Sequence, residues 1–282
     1  MLRFAVHLLA GLALAGIAFS AQAVAPLRVM SFNVRVPVAS DGPDRWEARR
    51  EQMAGLIAAA RPDVIGTQEL VAGQGDYLVE QLPRYAWFGA GRRGDGGDEH
   101  MGVFYRKDSL RLVESGDFWL SDTPEIPGSI SWGNLYPRLV TWGLFERKAD
   151  GLRFYLLNTH LPYRDEDGPA RERAAQLIQR WLAHLPAGAP VVLTGDFNDL
   201  PGSSAYQVLT GVLRDAWLDA PRRDGPGKTF HAFTGKAEKR IDWVLYRGLK
   251  PLRASTLTGN ENGRYPSDHF PVLVEFDFRV AE

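Results

Sequence analysis

Short apolar runs that stop or start on an oxygen or imidazole side chain recur along this chain, and no other feature restricts its fold as much. Val191-Val192-Leu193 leads into Gly195-Asp196-Phe197-Asn198, and Ser267-Asp268-His269 leads into Phe270-Pro271-Val272-Leu273-Val274. Strand ends present side chains at the rim of a sheet, where α/β enzymes usually keep their chemistry. Leu27 to Asn33 alternates apolar and polar residues and predicts a strand ending on Asn33, and Pro62 to Glu69 predicts a buried strand ending on an acid. Further strands are predicted at Met101 to Tyr105, Leu110 to Trp119, Leu139 to Phe145, Phe154 to Asn158, Val191 to Thr194, Ile241 to Tyr246 and Val272 to Phe278.

Helical spacing marks three segments. Trp46, Met53, Leu56, Ile57 and Ala60 recur between Pro43-Asp44 and Arg61-Pro62, Ala170 to His184 forms a second helix, and Ser203 to Thr210 a short third. Gly94 to Asp98 and Arg222 to Lys228 read as surface loops. Strands outnumber helices and the helices fall between strands in both halves. The pattern fits two packed sheets covered by helices better than one doubly wound parallel sheet.

The chain has 282 residues, 45 % hydrophobic and 24 % charged, enough for a large core, and one catalytic domain over residues 24–282 is expected. A formal charge of −1 supplies no global basic field for a nucleic acid. Arg92-Arg93 and Arg222-Arg223 could form local clusters, although solvated loop charges are the ordinary reading of each. The sequence contains no cysteine, which excludes disulfides, thiolate catalysis and cysteine metal sites. Met1-Leu2-Arg3, an apolar stretch from Leu8 to Phe19 and Ala21-Gln22-Ala23 predict a secretory signal cleaved after Ala23. That stretch is short for a membrane span, so the mature chain is expected to be periplasmic or secreted, with an uncleaved anchor as the competing reading.

The polar residues at predicted strand ends form a set: Asn33, Glu69, His160, Asp196, Asn198, Asp242, Asp268 and His269. Each alone has an ordinary explanation as a turn residue, a cap or a solvated acid. Eight together suit a hard divalent cation, because Mg²⁺ takes one or two carboxylates and keeps waters for substrate phosphate oxygens. A zinc site would want more histidines than the six in the chain provide.

Ser31-Phe32-Asn33-Val34, Gly66-Thr67-Gln68-Glu69, Asn158-Thr159-His160-Leu161, Gly195-Asp196-Phe197-Asn198, Arg240-Ile241-Asp242-Trp243-Val244 and Ser267-Asp268-His269-Phe270-Pro271-Val272 stand in the order and spacing of a known superfamily. From Leu27 to Phe278 the chain resembles the endonuclease/exonuclease/phosphatase superfamily of deoxyribonuclease-I-like enzymes. The resemblance implies a four-layer α/β sandwich, two mixed β-sheets face to face with helices outside, and a metal-dependent phosphoester hydrolase. By it, Glu69 looks like the principal Mg²⁺ ligand (Mn²⁺ as substitute), with Asn33 assisting and Asp268 near the metal or at a second metal position. Asp196 is similar to the acid that orients or deprotonates the attacking water, and Asn198 to the amide that holds the scissile phosphate. His269 is expected to bind phosphate or transfer a proton, with Asp242 fixing its tautomer. His160 resembles a second histidine with Glu99 as its acidic partner, and Arg138 a phosphate-contacting arginine.

Abasic-site endonucleases carry an acid two residues after the first asparagine, and Arg35 stands there instead, which argues against a repair nuclease. Phe118 to Glu125 followed by Gly128 to Trp132 resembles a branch of often secreted bacterial members. Trp132 or Trp119 in it could stack a base, sugar or inositol ring, or simply pack in the core or loop. Thr229 to Phe233 has the same ambiguity.

The leading expectation is hydrolysis of a phosphodiester of DNA, RNA or their fragments, by a monomer with no stable protein partner and no transmembrane segment in the mature chain. Sugar or inositol phosphates and phospholipid headgroups are the alternatives. A noncatalytic binding protein that keeps the fold is a reading of another class, and the intact acid, amide and histidine set argues against it.

Overall fold

The computed structural model describes residues 24–278, so the predicted leader over residues 1–23 lies outside the described residues. The chain runs through β1 (Leu27–Asn33), α1 (Trp46–Ala60), β2 (Val64–Gln68), α2 (Ala72–Gln81), β3 (Tyr85–Phe88), β4 (Val103–Arg106), β5 (Leu110–Trp119), β6 (Leu139–Arg147) and β7 (Arg153–His160). It continues through α3 (Gly168–Leu182), β8 (Val191–Asp196), α4 (Ser204–Thr210), β9 (Arg214–Asp215), α5 (Ala216–Asp219), β10 (Arg222–Asp224), β11 (Asp242–Arg247), β12 (Lys250–Thr256) and β13 (Val272–Asp277).

Two mixed sheets result, one in the order β10-β12-β13-β1-β2-β4-β3 and the other β5-β6-β7-β8-β11-β9. The pairs β1/β2 and β7/β8 are parallel and sit inside their sheets. Each is flanked by antiparallel strands, β13 and β4 in the first sheet, β11 and β6 in the second. The expected layered sandwich is the architecture found.

Period-two alternation explains the layers. Leu27 and Val29 of β1 join Val64, Phe154, Leu156, Val192, Val244, Val274 and Phe276 in the core between the sheets. Met30 and Phe32 point the other way, onto Met53 and Ile57 of α1 and Leu78 of α2. On the far side, Leu157, Leu193, Trp243 and Leu245 pack against Ala174 and Ile178 of α3 and Ala205 and Leu209 of α4. Pro169 sits in the first turn of α3, where its missing N–H costs nothing.

The inter-sheet face changes character along each central strand, from Leu27 and Val29 to Ser31 and Asn33 on β1, and from Phe154 and Leu156 to Asn158 and His160 on β7. Where it turns polar the sheets are hydrogen-bonded to each other. Gln68 Nε2 donates to Asn158 Oδ1 at 2.7 Å, Asn158 Nδ2 to the Thr67 carbonyl at 2.7 Å, and Thr194 Oγ1 to Asn158 Oδ1 at 3.1 Å. Gly66 lies against this seam, and a Cβ there would collide with Thr194 Oγ1 and come within 2.5 Å of Asn158 Oδ1.

Several elements depart from the sequence expectation. α2 was not predicted because Gly73 and Gly75 weaken its helical signal; its start is closed by Gln74, whose Oε1 accepts the Val71 N–H at 3.1 Å. β12 carries Pro251 and a bulge before Arg253, which mask its period. Arg222 to Lys228, read as a loop, begins with the exposed edge strand β10, paired in parallel with β12. Among the described residues no helix is long and apolar enough to cross a membrane.

Gly66→Ala is expected to lower the unfolding free energy by about 1–3 kcal/mol, the usual cost of overpacking a filled core. Urea denaturation of the two proteins side by side measures it.

Candidate active site

The polar ends of the central strands meet in one cleft of about 520 Å³, whose walls include Glu69, His160, Asp196, Asn198, Asp268 and His269. A larger groove of about 780 Å³ lies at the opposite end of β1, around Arg28, Asp63 and Arg106. It holds none of the strand-end set. Parallel pairing places the ends of β7 and β8 together, with His160 opposite Asp196, and antiparallel pairing brings the first residue of β11, Asp242, to the same point. Glu69 follows β2 in a left-handed conformation (φ 60°) and Asn198 follows β8 in another (φ 49°). Non-glycine residues held this way cluster at functional sites.

Asn33 links the two acids. Its Nδ2 donates to Glu69 Oε1 at 3.1 Å and Asp196 Oδ2 at 3.0 Å, while its Oδ1 accepts the Arg35 N–H at 2.9 Å. Asp196 Oδ1 accepts the Asn198 N–H at 3.0 Å. Burial, reinforced by Asp242, raises the Asp196 carboxyl well above the usual carboxylate range, against the pull of His269, Asn33 and the Asn198 N–H. A base with such a raised affinity for protons accepts one from water more readily than an ordinary aspartate.

The two histidines are driven in opposite directions. His269 Nδ1 is 2.8 Å from Asp242 Oδ2. Burial opposes its charge, but Asp242, that hydrogen bond, Asp196 and Asp268 together hold the imidazole well above its ordinary value. Its Nε2–H lies 3.7 Å from Asp196 Oδ2. His160 is held well below its ordinary value by burial, with Arg138, His269 and Arg92 adding to the shift. Asn198 Nδ2 donates to the Leu161 carbonyl at 3.0 Å and lies 2.9 Å from His160 Nε2. The carbonyl fixes the amide's orientation, so Nε2 is the acceptor and the neutral ring carries its proton on Nδ1.

Glu99, expected to pair with His160, is placed differently. Its carboxylate lies 3.0 Å from Arg92 Nη1, and His160 Nδ1 is buried without a hydrogen-bond partner among the described residues. Arg92 competes successfully because a guanidinium is always charged whereas this imidazole is neutral. Arg92 is itself the residue most misjudged from sequence: it is buried, ion-paired with Asp98 and Glu99, and lies 4.3 Å above the Tyr136 ring. Only its neighbour Arg93 is the exposed loop charge.

Arg138 is buried in the cleft wall, and its Nη1 has no hydrogen-bond partner among the described residues. Trp132 does not line the cleft; its indole donates to Asp122 Oδ1 at 2.8 Å and its ring rests against the helix-side core of the second sheet. Trp119 is buried, donating to the Arg92 carbonyl at 2.7 Å. The aromatic residues at the cleft are Tyr136, Tyr163 and Phe230, and Lys239 and Asp165 join them. None of these five stands at the end of a predicted strand, so the strand-end pattern passed over them.

A divalent cation fits the Glu69 side of the cleft. Glu69 Oε2 and Asp268 Oδ2 flank the same guanidinium nitrogen of Arg35, at 3.8 and 3.9 Å, and so offer two hard oxygen donors to one small space. Asp196, Asp242 and His269 also bring ligand atoms within 4.8 Å of one another. There, Nδ1 of His269 is already hydrogen-bonded to Asp242 at 2.8 Å and Nε2 lies 3.7 Å from Asp196 Oδ2. That geometry is also suited to proton handling.

In the metal-free protein at pH 7, long-range ¹H–¹⁵N spectra are expected to show His269 as imidazolium and His160 as the neutral Nδ1–H form. Asp242→Asn removes the main acidic partner of His269 and moves its titration downward. An unchanged His269 titration in that variant contradicts the pairing.

Residues 30–269 match the endonuclease/exonuclease/phosphatase family. The fold superimposes on an endonuclease/exonuclease/phosphatase family protein of Bacteroides thetaiotaomicron with a TM-score of 0.85 and 35% identity, covering 90% of this chain and 98% of that one. It is equally similar to the mannosyl-6-phosphatase of the same organism, with a TM-score of 0.83 and 35% identity over 89% of this chain and 100% of that one. Among curated proteins, Nocturnin of Drosophila melanogaster is 24% identical over 82% of this chain, a match that spans 42% of Nocturnin. The chain likewise covers less than two thirds of the other leading curated relatives. The order of motifs, the paired sheets and the strand-end cleft agree with these matches, and the chain belongs to the endonuclease/exonuclease/phosphatase family.

Proposed function

We propose that this protein is an exported, divalent-metal-dependent phosphoester hydrolase whose preferred substrates are phosphomonoesters of small polyhydroxylated alcohols. The observation that carries the reading is the convergence in one cleft of a base of raised proton affinity, Asp196, a charged imidazole, His269, and a buried guanidinium with a free N–H, Arg138. In-line attack of water on phosphorus accumulates negative charge on the nonbridging and leaving oxygens, and fixed positive charges and donors lower that barrier.

Asp196 takes the proton of the attacking water. Asn198, whose two amide N–H groups go to the Leu161 carbonyl and to His160 Nε2, positions the His160 ring beside Asp196, and Arg138 in the cleft wall offers a donor to the phosphoryl oxygens. Asp242 keeps His269 protonated, so that Nε2–H faces the developing charge. Glu69 and Asp268, with Asn33 bracing Glu69, would hold the cation, which would supply Lewis-acid stabilisation of the phosphoryl charge.

The substrate class rests on the other residues that line the cleft. Arg92, Glu99, Asp165, Tyr136 and Tyr163 present hydrogen-bonding groups suited to hydroxyls. Stacking surface there is limited to Tyr163 and Phe230: the Tyr136 face is covered by Arg92, and both Trp119 and Trp132 are turned elsewhere. The similarity to a mannosyl-6-phosphatase over the whole of that chain supports the same choice. This order of substrates differs from the expectation of a nucleic acid first. Export is supported by the leader pattern of residues 1–23.

Product release from a hexose 6-phosphate, an inositol phosphate, p-nitrophenyl phosphate, bis-p-nitrophenyl phosphate, DNA, RNA and sphingomyelin, with Mg²⁺, Mn²⁺ or EDTA, tests this. Turnover is expected to be greatest on the sugar or inositol ester, to vanish in EDTA and to fall about 10²–10⁴-fold in Asp196→Ala. Faster cleavage of DNA or RNA overturns the substrate class, and metal-independent turnover overturns the mechanism.

A further inference from the structure

Arg35 is fixed where a flexible side chain would be expected. Its backbone adopts φ 57°, with its N–H on Asn33 Oδ1 and its carbonyl accepting from Arg49 Nη2 at 2.7 Å and Gln74 Nε2 at 3.0 Å. Helices α1 and α2 therefore hold the turn from behind. The guanidinium grips Asp41 through Nε at 3.1 Å and Nη2 at 2.8 Å, and the Asp41 side chain is only 6% exposed. This leaves Nη1, which lies 3.8 Å from Glu69 Oε2 and 3.9 Å from Asp268 Oδ2.

Both separations exceed a hydrogen bond, so Nη1 neutralises the two carboxylates without binding either. The side chains of Glu69 and Asp268 are 15% and 10% exposed, and two carboxylates so placed repel each other unless a cation stands between them. A guanidinium cannot relieve a competing cation by losing its proton, and the Asp41 fork prevents it from moving far.

We propose that Arg35 is a resident counter-ion of the Glu69–Asp268 pair: it balances the pair in the metal-free protein and competes with a divalent cation for it, thereby setting how tightly that cation is held. The inference rests on the metal-dependent reading above. Arg35 acts through the metal carboxylates and is a positioning residue. Its charge opposes metal binding and simultaneously keeps the metal-free carboxylates from forcing each other apart. Two opposite effects therefore follow from removing that charge.

Mn²⁺ titration of the purified chain by calorimetry and electron paramagnetic resonance tests this on wild type, Arg35→Met and Arg35→Lys, with Arg35→Gln, which keeps a donor for Asp41, as a second neutral variant. Arg35→Met and Arg35→Gln are expected to bind Mn²⁺ at least tenfold more tightly, with Arg35→Lys close to wild type. In EDTA the neutral variants are expected to melt below wild type, and Mn²⁺ to raise their Tm by more than it raises that of wild type. Unchanged or weaker Mn²⁺ affinity in both neutral variants, with wild type binding, overturns the inference alone. No Mn²⁺ binding by wild type or by any variant overturns the metal-dependent reading with it.

Discussion

The distances across the cleft of this protein depend on a short polar seam between two otherwise apolar sheets. Asn158 bonds across the interface to Gln68 and to the Thr67 carbonyl, and within its own sheet to Thr194. Apolar packing alone tolerates small slides of one sheet over the other, because dispersion contacts are non-directional. Hydrogen bonds of 2.7 to 3.1 Å in a buried setting do not. His160 and Asp196 lie two residues beyond Asn158 and Thr194 on the same faces, and Glu69 lies one residue beyond Gln68. Fixing the seam fixes the rim. Any slide would carry Glu69 away from Asp196 and break the Asn33 bridge between them.

The electrostatics of the rim follow from which neighbour each group is given. His160 and His269 are both buried and both near Asp196, yet only His269 has a carboxylate on its second nitrogen. His160 instead faces Arg138, Arg92 and the charge on His269. One ring is therefore an acid and donor, the other a neutral hydrogen-bonding group, although the residue type and burial are the same. The carboxylates divide in a similar way. Asp196 is raised by burial and Asp242, whereas Asp268 is raised by burial and Glu69 but restrained by His269 and Arg35. A site built this way contains a base able to accept a proton and a cation able to receive charge within a few ångströms of each other, which a set of identical solvated groups could not supply.

The layered fold and most of the rim were legible because they depend on local pattern. The runs Leu27 to Asn33, Phe154 to Asn158 and Val191 to Thr194 need no knowledge of distant contacts, and their bounds fall within two residues of the observed strands. What was not legible depends on pairing at long range. Glu99 has two basic candidates in reach of its loop, and only the three-dimensional placement of Arg92 decides between that guanidinium and His160. Arg92 and Arg93 are indistinguishable in sequence, yet one is buried over Tyr136 and the other is exposed. The tryptophans of the long loop gave an aromatic signal without a direction, and both are satisfied by backbone or side-chain acceptors away from the cleft. Helix α2 illustrates the same limit: two glycines argue against it locally, while burial of Leu78 against the first sheet and the Gln74 cap establish it.

The cleft therefore has two halves of different origin. The chemical half is made from strand ends, and its geometry is inherited from the sheets. The other half is made from the loops around residues 91–99, 121–138 and 161–168, and these loops are tied to one another by specific bonds. Trp119 at the start of the long loop donates to the Arg92 carbonyl, Arg164 Nη2 donates to the Gly133 carbonyl at 2.6 Å, and a Cβ on Gly128 (φ 75°) would lie 2.6 Å from the Arg93 carbonyl. Loops cross-linked in this way form a wall with a fixed shape, so the hydrogen-bonding groups of Glu99, Arg92 and Tyr136 are already in place when a substrate enters. Substitution within the wall can then change the shape and hydrogen bonding of that half of the cleft while leaving the strand-end residues in place. The reverse does not hold, since a change at the seam moves the rim and with it every strand-end residue of the cleft.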